Sequence, residues 1–145
     1  MKILVINGPN INLLGMREPE IYGRRTYSEL LRVVAEAGEK FGAETEEFQS
    51  NHEGAIVDRI QEAYGKVDGI VINPAAYTHT SVAIRDALVA VGIPAVEVHI
   101  SKVDDREAFR HVSFVRDVCL TTVSGRGIAG YADAIEYLCE KNTKK

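Results

Sequence analysis

"GIVINPAAYTHTSVAIRDALVAVG", residues Gly69–Gly92, changes character twice along its length. Gly69–Asn73 opens it with an unbroken apolar, β-branched run, the pattern of a strand covered on both faces. Pro74 ends that run, and a polar segment, "AAYTHT", follows. From Ser81 the apolar residues Ile84, Leu88 and Val91 recur at helical spacing until Gly92 stops them. A doubly covered strand, a polar loop and an amphipathic helix form half of a βαβ unit. This stretch therefore predicts a parallel sheet with helices on its faces.

The rest of the chain repeats the unit on both sides. "KILVI" (Lys2–Ile6) is a second buried strand, ended by Asn-Gly-Pro. "TYSELLRVVAEAGEKFG" (Thr26–Gly42) is a helix. Thr26 and Glu29 have the spacing of a capping box, Leu30, Val34, Ala37 and Phe41 form the stripe, and Gly42 marks the stop. "AETEEFQS" reads as a more polar strand, suited to a sheet edge. Ile56, Ile60 and Ala63 mark another helix, ended by Gly65. "PAVEV" and "CLTTV" carry the fourth and fifth strands, and "IAGYADAIEYLCEK" closes the chain as a helix before the lysine-rich "KNTKK". Five parallel strands in 145 residues suit an α/β, flavodoxin-like three-layer sandwich of order 2-1-3-4-5. Residues 1–145 read as a single domain, without repeats or linker.

Composition narrows the function classes. Apolar residues make up 46% and charged residues 26%, with a net charge of −4 and no basic block. Nothing points to nucleic acid or an anionic membrane, and no apolar run nears the roughly 18 residues of a membrane span. The N-terminus reads as a strand that starts at once, not as a signal peptide. Cys119 and Cys139 make no disulfide framework and are expected as reduced core thiols of a cytoplasmic protein.

In open parallel sheets the ligand crevice lies beyond the carboxyl ends of the strands, where the strand order reverses. Here those ends are Asn7–Arg25, Asn73–Thr80 and Glu97–Arg110. Glu97 and His99 are two apart on an extended segment and so share a face. A carboxylate there fixes the imidazole tautomer and favours its protonated form, which suits a general acid. Asn73, Tyr77, Thr78, His79 and Ser81 offer polar groups ahead of a helix N-terminus, a setting that favours an anion. Capping by Thr80 or Ser81 accounts for part of that polarity. In the first segment Tyr22 lies near Arg17, Arg24 and Arg25. Nearby cations lower a phenol pKa and make it a base able to take a proton next to a carbonyl.

"NGPNINLLGMREPEIYG", "NPAAYTHTSVAIRDAL" and "VEVHISKVDDREAFR" resemble the three signature stretches of type II 3-dehydroquinate dehydratases, and the likeness runs from Lys2 to about Leu138. The resemblance implies the anti dehydration of 3-dehydroquinate to 3-dehydroshikimate through an enolate, in the shikimate pathway, without cofactor or metal. It implies a homo-oligomer, a dodecamer built as a tetramer of trimers. It assigns Tyr22 as the base at C2 and Arg17 as its stabilising cation on a lid loop. Asn10 would hold a water against the enolate oxygen. His99, oriented by Glu97, would protonate the departing C1 hydroxyl. Asn73 and the amides of Ile100 and Ser101 would take the substrate carboxylate, His79 and Arg110 the ring hydroxyls, and Asp86 would reach in from a neighbouring subunit. Arg126 and Thr121 depart from the family pattern, at positions that touch packing or subunit contacts.

Other readings fit less well. "GRGIAG" (Gly125–Gly130) matches a dinucleotide-binding pattern, but it follows the last strand and reads better as a tight turn with close helix packing. Asn7 and Asn73 stand where a receiver domain needs acids. "NGPNINLLG" lacks the Ser/Thr-rich phosphate loop of a flavin-mononucleotide binder. The histidines, His52, His79, His99 and His111, lack metal-site spacing. A non-catalytic flavodoxin-like binding module is the alternative from another class.

Overall fold

Five strands form one all-parallel sheet in the order β2-β1-β3-β4-β5. They are β1 (Lys2–Asn7), β2 (Glu44–Gln49), β3 (Gly69–Asn73), β4 (Ala95–His99) and β5 (Thr121–Ser124). The helices are α1 (Pro19–Tyr22), α2 (Tyr27–Phe41), α3 (Glu53–Glu62), α4 (Val82–Val91) and α5 (Ala129–Thr143). The structure, a computed structural model, describes residues 1–16, 18–22 and 24–144, with the side chain of Tyr22 excepted.

Side-chain alternation along the strands divides the core in two. Ile3, Val5, Val71, Val96 and Val98 face α2 and α5, against Leu30, Val34, Tyr131, Ile135 and Leu138. Leu4, Ile6, Ile70, Ile72 and Ala95 face α3 and α4, against Ile56, Ile60, Ile84 and Leu88. Each fully buried Leu, Ile or Val contributes roughly 1.5–3 kcal/mol of transfer free energy, so these layers supply most of the drive to fold. The stripe residues Phe41 and Val91 are only half-buried.

Local signals act as the sequence predicts, with some changes. Thr26 Oγ1 accepts from the Glu29 amide, but the Glu29 carboxylate pairs with Arg25 Nε at 2.5 Å. Only one leg of the capping box is therefore made between these two residues. Ser81, not Thr80, caps α4 by accepting from Ile84 N. Gly42 and Gly92 end α2 and α4 in left-handed conformations. A short helix, α1, stands inside the long segment after β1. β5 begins at Thr121 rather than Cys119, since Cys119 and Leu120 are taken up by a turn and the entry to the sheet.

Among the described residues no helix is long and apolar enough to cross a membrane. Cys119 and Cys139 are free and half-buried rather than fully in the core. Burial and the charges of Glu97 and Asp117 push the Cys119 thiol up to about 12, so it stays neutral.

The ends of β1 and β3 approach closely. Gly8 N donates to Asn73 O at 2.8 Å. A Cβ on Gly8 would lie 2.4 Å from the Pro74 carbonyl oxygen, so only glycine fits. Gly8→Ala is expected to force the two strand ends apart and cost about 1–3 kcal/mol. Urea unfolding checks it: an unchanged midpoint would mean that the Pro74 turn yields freely.

Candidate active site

The segment after β1 is tied down from the neighbouring strand ends. Asn10 takes a left-handed conformation, φ 70°, which asparagine tolerates better than most residues. Its amide donates to Asn51 Oδ1 at 3.0 Å. Gln49, the last residue of β2, donates from Nε2 to Gly8 O at 3.1 Å and to Asn51 Oδ1 at 3.2 Å. The Tyr77 hydroxyl donates to Asn51 O at 2.9 Å. After β3 the chain turns through Ala75, whose φ of 54° is unusual for a residue with a Cβ. The Ala75 amide donates to Asn73 Oδ1 at 3.0 Å, which holds that turn.

The end of β4 carries a buried ion. Glu97 has no exposure at all, so a pair at the surface is ruled out. Register places Thr122 of β5 beside Glu97. The Thr122 hydroxyl donates to Oε1 at 2.8 Å and Ser113 donates to Oε2. Arg116 Nε lies 3.4 Å from Oε1. His99 Nε2 donates to Oε2 at 2.9 Å. Burial alone would raise the Glu97 carboxyl, but these bonds and the imidazole outweigh it and hold the group down at about 2. Glu97 is therefore ionised and acceptor-only, so the proton on Nε2 is fixed. His99 Nδ1 is left as the nitrogen for a ligand.

Pro9, Asn10, Ile11, Asn73, Ala75, Ala76, His79, His99, Ile100, Ser101, Val103, Arg106 and Arg110 line one cavity of about 160 Å³. Seven residues singled out from the sequence thus meet: Asn10, Asn73, His79, His99, Ile100, Ser101 and Arg110. His79 Nδ1 donates to the Val112 carbonyl at 2.7 Å. Burial, with the positive charges of His99 and Arg110, lowers its pKa, so the ring is neutral near pH 7 and its Nε2 is an acceptor. Arg110 Nε pairs with Glu107 at 2.7 Å. Glu97 lies beneath His99 rather than on the cavity wall. Asp86 is exposed on α4 and does not line the cavity of its own chain. Arg17 and the Tyr22 side chain lie outside the described residues, and Arg25 pairs with Glu29.

Sequence reasoning missed Arg106 on the cavity wall, whose guanidinium reaches Ser101 Oγ at 3.4 Å. It also missed Ser113, Arg116, Gln49 and Asn51. The "GRG" turn, set aside as a nucleotide motif, donates from Gly125 N to His99 O at 3.2 Å and from Gly127 N to Ile100 O at 3.1 Å. Its amides hold the strand end that bears the site. Among the described residues no three His, Cys, Asp or Glu side chains gather as a metal site.

The family model described as dehydroquinase class II matches residues 1–139. A 3-dehydroquinate dehydratase of Lachnospira eligens is 56% identical across the full length of both chains. A catabolic 3-dehydroquinase of Penicillium rubens is 57% identical over 94% of this chain and 88% of its own. The crystal structure of type II dehydroquinase from Butyrivibrio crossotus superimposes with a TM-score of 0.93 at 56% identity, over 95% of this chain and 97% of that one.

The Glu97 carboxyl sits at about 2 in the fold against an ordinary value of 4.5. A depressed carboxylate adds stability above its unfolded pKa and loses it as pH falls through its folded one. Glu97 should therefore contribute about 3 kcal/mol at neutral pH, lost between about pH 4.5 and pH 2. Glu97→Gln is expected to be less stable at pH 7 and to show a flatter stability profile over that window. Urea unfolding at stepped pH measures both. Parallel profiles would place the acid sensitivity elsewhere.

Proposed function

The chain belongs to the class II dehydroquinase family, and on that premise we propose that its cavity dehydrates 3-dehydroquinate to 3-dehydroshikimate, the hydro-lyase step of the shikimate pathway. The observation that carries this reading is His99, tied through Nε2 to a buried, ionised Glu97 on a cavity lined by Arg106 and Arg110. That is a proton donor beside cations suited to an anionic substrate.

Tyr22, as tyrosinate beside Arg17, removes the proton at C2 and leaves an enolate. A water held by Asn10 donates to the enolate oxygen, an oxyanion-type stabilisation. His99, its Nε2–H held by Glu97, then acts as the acid and gives an Nδ1 proton to the C1 hydroxyl. That group leaves as water as the double bond forms. Asn73 with the Ile100 and Ser101 amides binds the carboxylate, while His79 accepts from a ring hydroxyl and Arg110 donates to another. The long segment around α1 acts as a lid that excludes water. The reaction needs no cofactor or metal. The domain spans 1–145 and works in the cytoplasm.

Added 3-dehydroquinate is expected to give the absorbance of a conjugated enone, and its absence with folded protein would end this reading. Tyr22→Phe should cut turnover by ~10²–10⁴, the usual worth of general acid–base catalysis, with the fold intact. His99→Ala should slow dehydration more than hydrogen exchange at C2, followed by NMR in D₂O. Equal losses in both would refute the division of labour between base and acid.

Asp86 stands on the exposed side of α4, between Val82 and Val89, which are also exposed. It completes the site of a neighbouring subunit in a trimer, four of which build the dodecamer. Asp86→Ala should raise KM and loosen the trimer together. Light scattering and kinetics on one sample decide it, and a fully active mutant of unchanged mass would show that each site is built within one chain.

A further inference from the structure

We propose that Tyr131 is a positioning residue for the substrate carboxylate: its hydroxyl, held between Asn7 and Asn73, fixes which way the Asn73 carboxamide presents itself to the cavity. The inference rests on the reading of Asn73 as a carboxylate-binding residue.

The placement follows from the sheet. Asn7 and Asn73 are register partners at the ends of β1 and β3. Alternation puts them on the same face as Val5 and Val71, the face covered by α5. Tyr131 lies in the first turns of α5 and has no exposure. Its hydroxyl donates to Asn7 Oδ1 at 2.5 Å and accepts from Asn73 Nδ2 at 2.9 Å. Burial raises the phenol pKa, so the group keeps its proton throughout the working pH range.

A carboxamide can turn half a revolution and exchange Oδ1 for Nδ2 with almost no change of shape. Toward an anion the two states are opposites: one offers a donor and the other a lone pair. Three hydrogen bonds select the first. The Tyr131 proton is committed to Asn7, so its oxygen can only accept, and Nδ2 is the donor it meets. Asn73 Oδ1 is taken by the Ala75 amide. One Nδ2 hydrogen is left over, on a residue that lines the cavity. Removing the Tyr131 oxygen would leave Nδ2 unpaired against a ring edge, with the Ala75 bond alone to hold the amide, which would then shift away from the ring. A contact made equally in ground and transition states affects KM, not kcat. A ring that only filled the core would not discriminate between the two.

The test is Tyr131→Phe, which keeps the ring. KM for 3-dehydroquinate should rise about tenfold or more, the scale of an orphaned buried donor, with kcat within about twofold. In the Asn73→Ala background the same substitution should add nothing to KM. An unchanged KM, or an undiminished rise in the absence of the Asn73 side chain, would overturn the proposal. If Tyr131→Phe does not fold, Asn7→Ala removes the acceptor of the Tyr131 proton and should raise KM in the same way. An unchanged KM in that folded variant is equally fatal. Wild-type protein without dehydratase activity would instead sink the functional reading, before any variant is compared.

Discussion

A charge with no access to water governs how this end of the molecule is built. Glu97 sits midway along β4 with no exposure, and an isolated carboxylate there would cost several kcal/mol. The fold answers with donors from three places: Thr122 on the neighbouring strand, Ser113 and Arg116 on the segment between β4 and β5, and His99 two residues along. Each donor also fixes something else. Thr122 ties the edge strand to its register, and Ser113 anchors the turn that carries Val115 into the core. His99 has its tautomer set. The same ion that is expensive to bury therefore orders the cavity wall and readies the imidazole beside it.

Much of this was legible from the chain. The strands β1 and β3 announce themselves by apolar runs because both their faces are covered, and β2 by its polarity because it is an edge. The strand order and the crevice rule then pointed to three loops, and seven of the residues named in them line one cavity. The Glu97–His99 contact needed only the period of two. The family resemblance supplied roles that spacing alone leaves open, such as the duty of Asn10 or Asp86.

What was not legible depends on distance in the chain. Ser113 and Arg116 stand 16 and 19 residues from Glu97, and Asn51 stands 41 from Asn10. No local pattern marks a serine as the partner of one remote carboxylate. Arg25 shows a partner of another kind: beside its position near Tyr22, Glu29 is one helical turn away and binds it. The "GRG" stretch reads rightly as a tight turn, but its partners were not legible: glycines that expose backbone N–H groups suit phosphates and carbonyls alike. Only the fold reveals that the His99 and Ile100 carbonyls are the acceptors.

The alternation of strand side chains has a further consequence for the site. Glu97 points toward the α3–α4 layer, while Asn7 and Asn73 point toward the α2–α5 layer. The cavity is thus braced from both sides of the sheet, by an ionic cluster on one and a neutral Asn–Tyr–Asn chain on the other. The two braces suit their loads. The proton-donor role proposed for His99 is served by a full negative charge behind the ring. The anion-binding role proposed for the Asn73 amide calls for orientation without charge, and a carboxylate in place of the Tyr131 phenol would repel an anionic ligand. Placing the two on opposite faces keeps a whole sheet between the Glu97 charge and the Tyr131 hydroxyl, so His99 and Asn73 can be held independently within one small cavity.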